Sequence, residues 1–142
     1  LLKPSIIKDI VSYGGEEKFN HTPTVTSNIP VQKQMLDLVK DAMVGVVNDP
    51  GGTGRAARLQ DMTVAGKTGT AQVVSLDSQS EKRKHRDHAW FTSYAPAESP
   101  EIAVTVLIEH GGKGGAVAAP IAKKILEVYK KLKEEREADD NV

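Results

Sequence analysis

The stretch "VAGKTGTAQ", Val64 to Gln72, admits two readings that lead to different folds. Gly66-Lys67-Thr68 looks like the end of a phosphate-binding loop. Such a loop needs G-x-x-x-x-G-K-[ST]. Counting back from Gly66 puts Asp61 where the first glycine belongs, a carboxylate where backbone N–H groups must face phosphate. The loop must also open a helix, so that the helix N-terminus meets the anion. Gly69, Thr70, Gln72, Val73 and Val74 make a poor helix start, and "RAARLQDM" ahead of the motif is no buried strand. The alternative is a strand from Thr63 to Val74, rich in threonine and valine. Alternation then places Thr68 and Thr70 on one face and Lys67 on the other. Gly66 and Gly69 remove side-chain bulk, as strand glycines do where a ligand or backbone approaches closely. The edge of such a strand can accept an extended peptide, and neighbouring hydroxyls and an ammonium suit a carboxylate. A threonine-rich edge strand without chemistry has the same local pattern, so the surroundings must decide.

Upstream, "SIIKDIVSY" (Ser5 to Tyr13) is β-branched and reads as a strand, and "GGEEKF" as a turn with a return strand. A polar connector, His21 to Asn28, leads to a helix opening at Pro30, a residue tolerated in a first turn. Val31, Met35, Val39, Ala42, Met43 and Val46 fall on it at helical spacing, and "PGGTG" (Pro50 to Gly54) ends it. Downstream, Ser75 to Asp87 is charged, nearly free of apolar residues, and reads as a solvated loop. "HAWFTSYA" and "EIAVTVLIEH" are strands joined by the turn "PAESP". The second is apolar on both alternating sets: Ile102, Val104, Val106 and Ile108, then Ala103 and Leu107. That predicts a central strand covered on both faces. "GGKGG" (Gly111 to Gly115) breaks the chain; it reads as a flexible turn leading to a helix start rather than as an anion cradle. A helix from about Ala118 carries Ile121, Ile125, Val128, Tyr129 and Leu132 on one side and runs into a charged tail expected to fray. Short links make the last three strands antiparallel neighbours, so the fold class is α+β, with helices packed on an antiparallel sheet.

The 142 residues make about one domain, and 39% apolar content is enough for a modest core. Lys plus Arg equals Asp plus Glu at 19 each, so no basic balance points to nucleic acid. Without cysteine there is neither disulfide nor thiolate metal site. No apolar run approaches the roughly 18 residues of a membrane helix. Because Leu1 opens directly into an apolar, strand-like run, the chain is expected to be a piece of a longer protein.

Taken in order, "AGKTGTAQ", "HAWFTSYAP" and "EIAVTVLIEHGGKGGAVAAPIAKKIL" resemble the C-terminal part of class B penicillin-binding proteins, most of all the elongation-type penicillin-binding protein 2. The family is marked by S-x-x-K, S-x-N and K-T-G. The resemblance implies a partial transpeptidase domain over residues 1–137, with 138–142 a disordered tail. It implies that Lys67 lines the cleft and supports proton transfer, and that Thr68, Gly69 and Thr70 bind substrate, the threonines through its carboxylate. It also implies that the backbone N–H of Thr70 is an oxyanion donor. No cofactor, metal or nucleic acid is implied. The implied partners are peptidoglycan stem peptides, β-lactams, the upstream part of the same protein and a membrane glycosyltransferase. The parent would be anchored in the bacterial inner membrane with this domain in the periplasm.

The sequence departs from the pattern at two motifs. Its only S-x-x-K is Ser5-Ile6-Ile7-Lys8, where Pro4 and two isoleucines oppose the helix that motif needs, and S-x-N is absent. The chain alone is therefore expected to lack the nucleophile and to be inactive. A non-catalytic penicillin-binding sensor with the same fold is the alternative, ahead of a nucleotide-binding module. Among other residues, His88 and His110 read as strand-end side chains rather than a shared metal site. Trp90 and Tyr94 share a face with His88 and Thr92 and read as core, and Arg55 and Arg58 as solvated cations.

Overall fold

The computed structural model describes residues 1–73 and 85–139, which divide into two compact units, residues 1–35 and 36–139. The solvated loop expected at 75–87 lies outside the described residues except for its last three positions.

Residues 1–35 hold an antiparallel hairpin of β1 (Asp9–Val11) and β2 (Glu17–Asn20), with a register shift between Ile10 and Val11. Gly15, at φ +83°, closes the turn, a backbone region open to glycine without Cβ strain. Pairing continues from His21 N–H to Lys8 O at 2.7 Å and, further out, from Lys3 N–H to Thr24 O at 2.8 Å. No residue of this unit is buried. Ser5 to Lys8 is irregular rather than strand or helix, so Ser5 and Lys8 lack the one-turn helical relation that an S-x-x-K pair requires.

α1 (Lys33–Asn48) starts in the first unit and lies mostly in the second. Of the helical stripe expected from Val31 to Val46, Met35 and Val39 are exposed, and the fully buried residue is Val47. A 3-10 turn, Arg55–Ala57, follows. The sheet of the second unit has the order β3-β4-β5, all antiparallel, with β3 (Ala65–Ala71), β4 (His88–Ala95) and β5 (Ile102–Ile108). α2 (Gly114–Asp139) covers one face. The core joins Ala89, Phe91 and Ala95 of β4, Val104 and Val106 of β5, Ala118, Ala119, Ala122 and Leu126 of α2, and Val47, Ala57 and Val64.

Three expectations change here. β4, not β5, is the central strand. On β5 only the Val104 and Val106 set is buried, while Ala103, Thr105 and Leu107 are exposed, so the strand is covered on one face. On α2 the large side chains read on one side, Ile121, Ile125, Val128 and Leu132, are exposed and Tyr129 is half-buried, while the alanine stripe meets the sheet. The reason is distance. A Cβ on Gly114 would stand 2.0 Å from Trp90 O and 2.6 Å from Gly69 O, so the helix start lies against strand backbone where only small residues fit. The helix opens at Gly114, inside the run read as a turn. It continues through Asp139, past the expected start of the tail. Along this polar half, ion pairs at i,i+4 such as Lys131–Glu135 (3.6 Å) and Lys133–Glu137 (3.8 Å) line the helix surface.

Candidate active-site strand

β3 pairs with β4 from Ala65↔Tyr94 through Ala71↔His88. It is an outer strand, with no partner on its other edge among the described residues. A strand here, with no helix after Lys67-Thr68, removes the phosphate-loop reading. The approach to β3 is fixed by Asn48, whose Nδ2 donates to Val44 O and to Val64 O, both at 2.8 Å. That side chain closes the end of α1 onto the start of the strand, a role its sequence context did not signal.

The two glycines of the motif serve different ends. A Cβ on Gly66 would lie 2.7 Å from the Phe91 ring and 3.1 Å from Val47, so this glycine makes room for the core rather than for a ligand. Gly69 lies on the opposite face beside Trp90, where a Cβ would meet Trp90 Cβ at 3.1 Å.

Thr68 and Thr70 do share a face, and on it they line a shallow depression of about 380 Å³ with Thr53, Lys113, Gly114, Gly115 and Ala116. The Thr53 and Thr68 hydroxyls stand 3.0 Å apart. The Lys67 ammonium is not in this depression. It leaves from the other face, as strict alternation requires, and its Nζ donates to Thr68 O at 2.6 Å. The structure therefore gathers the two expected threonines, adds Thr53 and Lys113, and sets the expected ammonium apart from the hydroxyls. Thr53 carried one usable signal: a single hydroxyl flanked by glycines in "PGGTG".

The remaining candidates fall elsewhere. His110 N–H donates to His88 Nδ1 at 2.9 Å, and the rings lie 4.8 Å apart, so the two histidines join the start of β4 to the turn after β5. Trp90, expected in the core, is 38% exposed, because the core face of β4 is occupied by Ala89, Phe91, Ser93 and Ala95. Tyr94 is half-buried on the face opposite that set. Arg55 donates to Pro50 O at 3.1 Å and is exposed, as is Arg58.

Residues 1–127 match the family model described as penicillin binding protein transpeptidase domain. The peptidoglycan D,D-transpeptidase MrdA of Haemophilus influenzae is 44% identical over 100 residues, which cover 66% of this chain and 15% of that protein. The chain thus spans about 15% of the length of this curated relative. Among solved structures, penicillin-binding protein A of M. tuberculosis, as its ceftriaxone acyl-enzyme, superimposes with a TM-score of 0.70 at 26% identity, covering 89% of this chain and 27% of that one. PBP2 of Helicobacter pylori, in complex with MreC, superimposes with a TM-score of 0.58 at 33% identity, covering 78% of this chain and 20% of that one.

Proposed function

The chain belongs to the penicillin-binding protein transpeptidase family, and from that membership we propose that residues 1–137 are the C-terminal portion of a serine-type D-Ala-D-Ala transpeptidase domain, with 138–142 its charged tail. The parent protein cross-links peptidoglycan. A serine outside this chain attacks the stem peptide's D-Ala carbonyl, the terminal D-Ala leaves, and the acyl-enzyme passes to an acceptor amine. β-Lactams acylate the same serine, a reading supported by the ceftriaxone acyl-enzyme of the M. tuberculosis relative.

The observation that carries this reading is the K-T-G-T strand itself. It is an outer strand, its second edge unpaired among the described residues, with two threonine hydroxyls at a depression. An extended peptide can add to that edge through its backbone. Thr68, Gly69 and Thr70 then form the substrate-binding segment, with the two hydroxyls on the terminal carboxylate. The backbone N–H of Thr70 faces the oxygen that becomes negative in the tetrahedral intermediate. Loss of one such donor costs roughly a hundred- to thousandfold in rate. Lys67, solvent-exposed on the opposite face, supplies positive charge and aids proton transfer once the serine-bearing part of the protein is in place. The parent is anchored in the inner membrane with this domain in the periplasm. The MreC complex of the H. pylori relative favours a protein partner for the parent, and a membrane glycosyltransferase is the kind of enzyme whose product it would cross-link.

Labelling with a fluorescent penicillin tests the reading. The full-length parent is expected to be labelled, while the 142-residue chain is not, because acylation needs a nucleophile activated by an adjacent base. Ser5 is exposed, and its Oγ donates to Ile7 O at 2.8 Å rather than to a basic side chain. Stoichiometric labelling at Ser5, mapped by mass spectrometry, would overturn the view that the nucleophile lies elsewhere. In the parent, Thr68→Val keeps strand propensity and shape but removes the hydroxyl, so acylation should slow while the unfolding midpoint stays put. Unchanged acylation with altered unfolding would make Thr68 structural.

A further inference from the structure

Thr53 lies outside the K-T-G strand, in the turn between α1 and the 3-10 turn, yet its hydroxyl reaches Thr68 Oγ1 at 3.0 Å. Its own side chain is exposed, so packing around that side chain does not hold it there. The backbone does. Gly54 N–H donates to Val46 O at 2.9 Å. A Cβ on Gly52 would stand 2.3 Å from Val46 O, and one on Gly54 would stand 2.8 Å from the Phe91 ring. From the other side, a Cβ on Gly115 would stand 2.0 Å from Thr53 O. The segment is thus held between the end of α1, the central core ring and the first turn of α2, at distances that admit only glycine. All three contacts lie within the same compact unit as β3.

We propose that Thr53 is a positioning residue that aims the Thr68 hydroxyl at the substrate carboxylate. This rests on the reading above that Thr68 binds that carboxylate. A threonine hydroxyl has one proton and two lone pairs. To donate to a carboxylate, Thr68 must not spend its proton on Thr53. When Thr53 donates to Thr68, a Thr68 lone pair is occupied and its O–H is left to point outward. The chain then runs from Thr53 to Thr68 to the carboxylate, and hydrogen bonds in such a series strengthen one another. Both hydroxyls border the same depression, so the series ends where a ligand would lie.

The test uses the full-length parent and the second-order rate of acylation by benzylpenicillin, with unfolding midpoints measured in parallel. Thr53→Val is expected to slow acylation about three- to tenfold, the effect of one ordinary hydrogen bond, without moving the midpoint. Thr53→Ser should restore the rate, since it returns the hydroxyl. In a Thr68→Val background, Thr53→Val should change nothing, because the group it aims is gone. If Thr53→Val fails to fold, Thr53→Ala takes its place with the same expected outcomes. An equal slowing in both backgrounds would overturn the proposal. So would unchanged acylation in Thr53→Val alongside impaired acylation in Thr68→Val. Unchanged acylation in Thr68→Val would instead sink the carboxylate-binding reading, and the Thr53 proposal with it.

Discussion

Phe19 and Phe91 are the chain's two phenylalanines, both on antiparallel strands, and they meet opposite fates. Phe19, on β2, is 44% exposed, while Phe91, on β4, is fully buried. Their surroundings differ in layers rather than in local pattern. Residues 1–35 contain Ile10, Val11, Phe19 and Val25, yet bury none of them, because the unit holds a hairpin, connecting chain and the first three residues of α1, with no second layer of its own. A two-stranded hairpin is marginal in water by itself. Residues 36–139 have a third strand and a helix laid across the sheet, so each inward side chain meets atoms from another element. Strand propensity makes pairs; a covering layer makes a core.

The largest test of that contrast is truncation at the two phenylalanines in the 142-residue chain. Phe91→Ala empties the centre of the core and should cost about 3–5 kcal/mol in denaturant unfolding. Phe19→Ala should stay near the surface range of about 0.5 kcal/mol. A comparable loss from Phe19→Ala would mean that the hairpin has a packed face, and the contrast would fail.

A second pair sharpens it with glycine. At Gly114 an added Cβ meets Trp90 O at 2.0 Å, so Gly114→Ala must push α2 away from β3 and β4. Overpacking of this kind costs about 1–3 kcal/mol. At Gly14, in the hairpin turn, nothing lies within 4 Å of an added Cβ. Gly14→Ala should therefore change the unfolding free energy by no more than about 0.5 kcal/mol. Thermal unfolding of the two variants against the parent sequence gives the comparison. Equal effects would show that the close approach of α2 is not what holds the second unit together.

The same close approach marks the limit of what could be read from the sequence. The α+β class, the hairpin, three antiparallel strands and both helices follow from alternation, helical spacing and turn residues. So does the common face of Thr68 and Thr70. The packed face of α2 is not legible in the sequence, because its large apolar side chains Ile121, Ile125, Val128 and Leu132 lie off it and Ala118, Ala119, Ala122 and Leu126 form it. Alanine and glycine pack here because helix and strand backbones nearly touch, a distance that no single segment encodes. β5 was read as central because Ala103 and Leu107 are apolar, whereas strand order depends on pairing partners. Thr53 was missed for a related reason: its contact with Thr68 spans two turns of chain whose meeting is fixed by glycines at Gly52, Gly54 and Gly115.

The smallest expected effect sets one ion pair against another. In the second unit, Glu101 accepts from Tyr129 Oη at 2.6 Å and from Lys133 Nζ at 2.7 and 2.8 Å, tying the start of β5 to the far half of α2. In the first unit, Glu16 pairs with Lys18, two residues along. The Lys133 hydrogen bond, then that of Tyr129, lowers the Glu101 carboxyl below its ordinary 4.5. The hydrogen bond to Glu101 raises Tyr129 above 10.0 and Lys133 above 10.5. A lowered carboxyl adds stability that is present above pH 4.5 and fades as pH falls through its folded value. The raised groups add stability that is present below pH 10.0 and fades as pH climbs through theirs. The stability gap between the 142-residue chain and its Glu101→Gln variant should therefore be flat across neutral pH and close toward pH 3. It should be small throughout, because exposed pairs are screened by water. Glu16→Gln should cost less still at pH 7. A pair two residues apart can also form in the unfolded chain, so most of its benefit cancels on folding. Melting curves from pH 3 to 7 decide the matter. A Glu101→Gln gap that widens in acid would reverse the sign argued here. A Glu16→Gln loss matching it at pH 7 would show that linking distant segments confers no advantage in this chain.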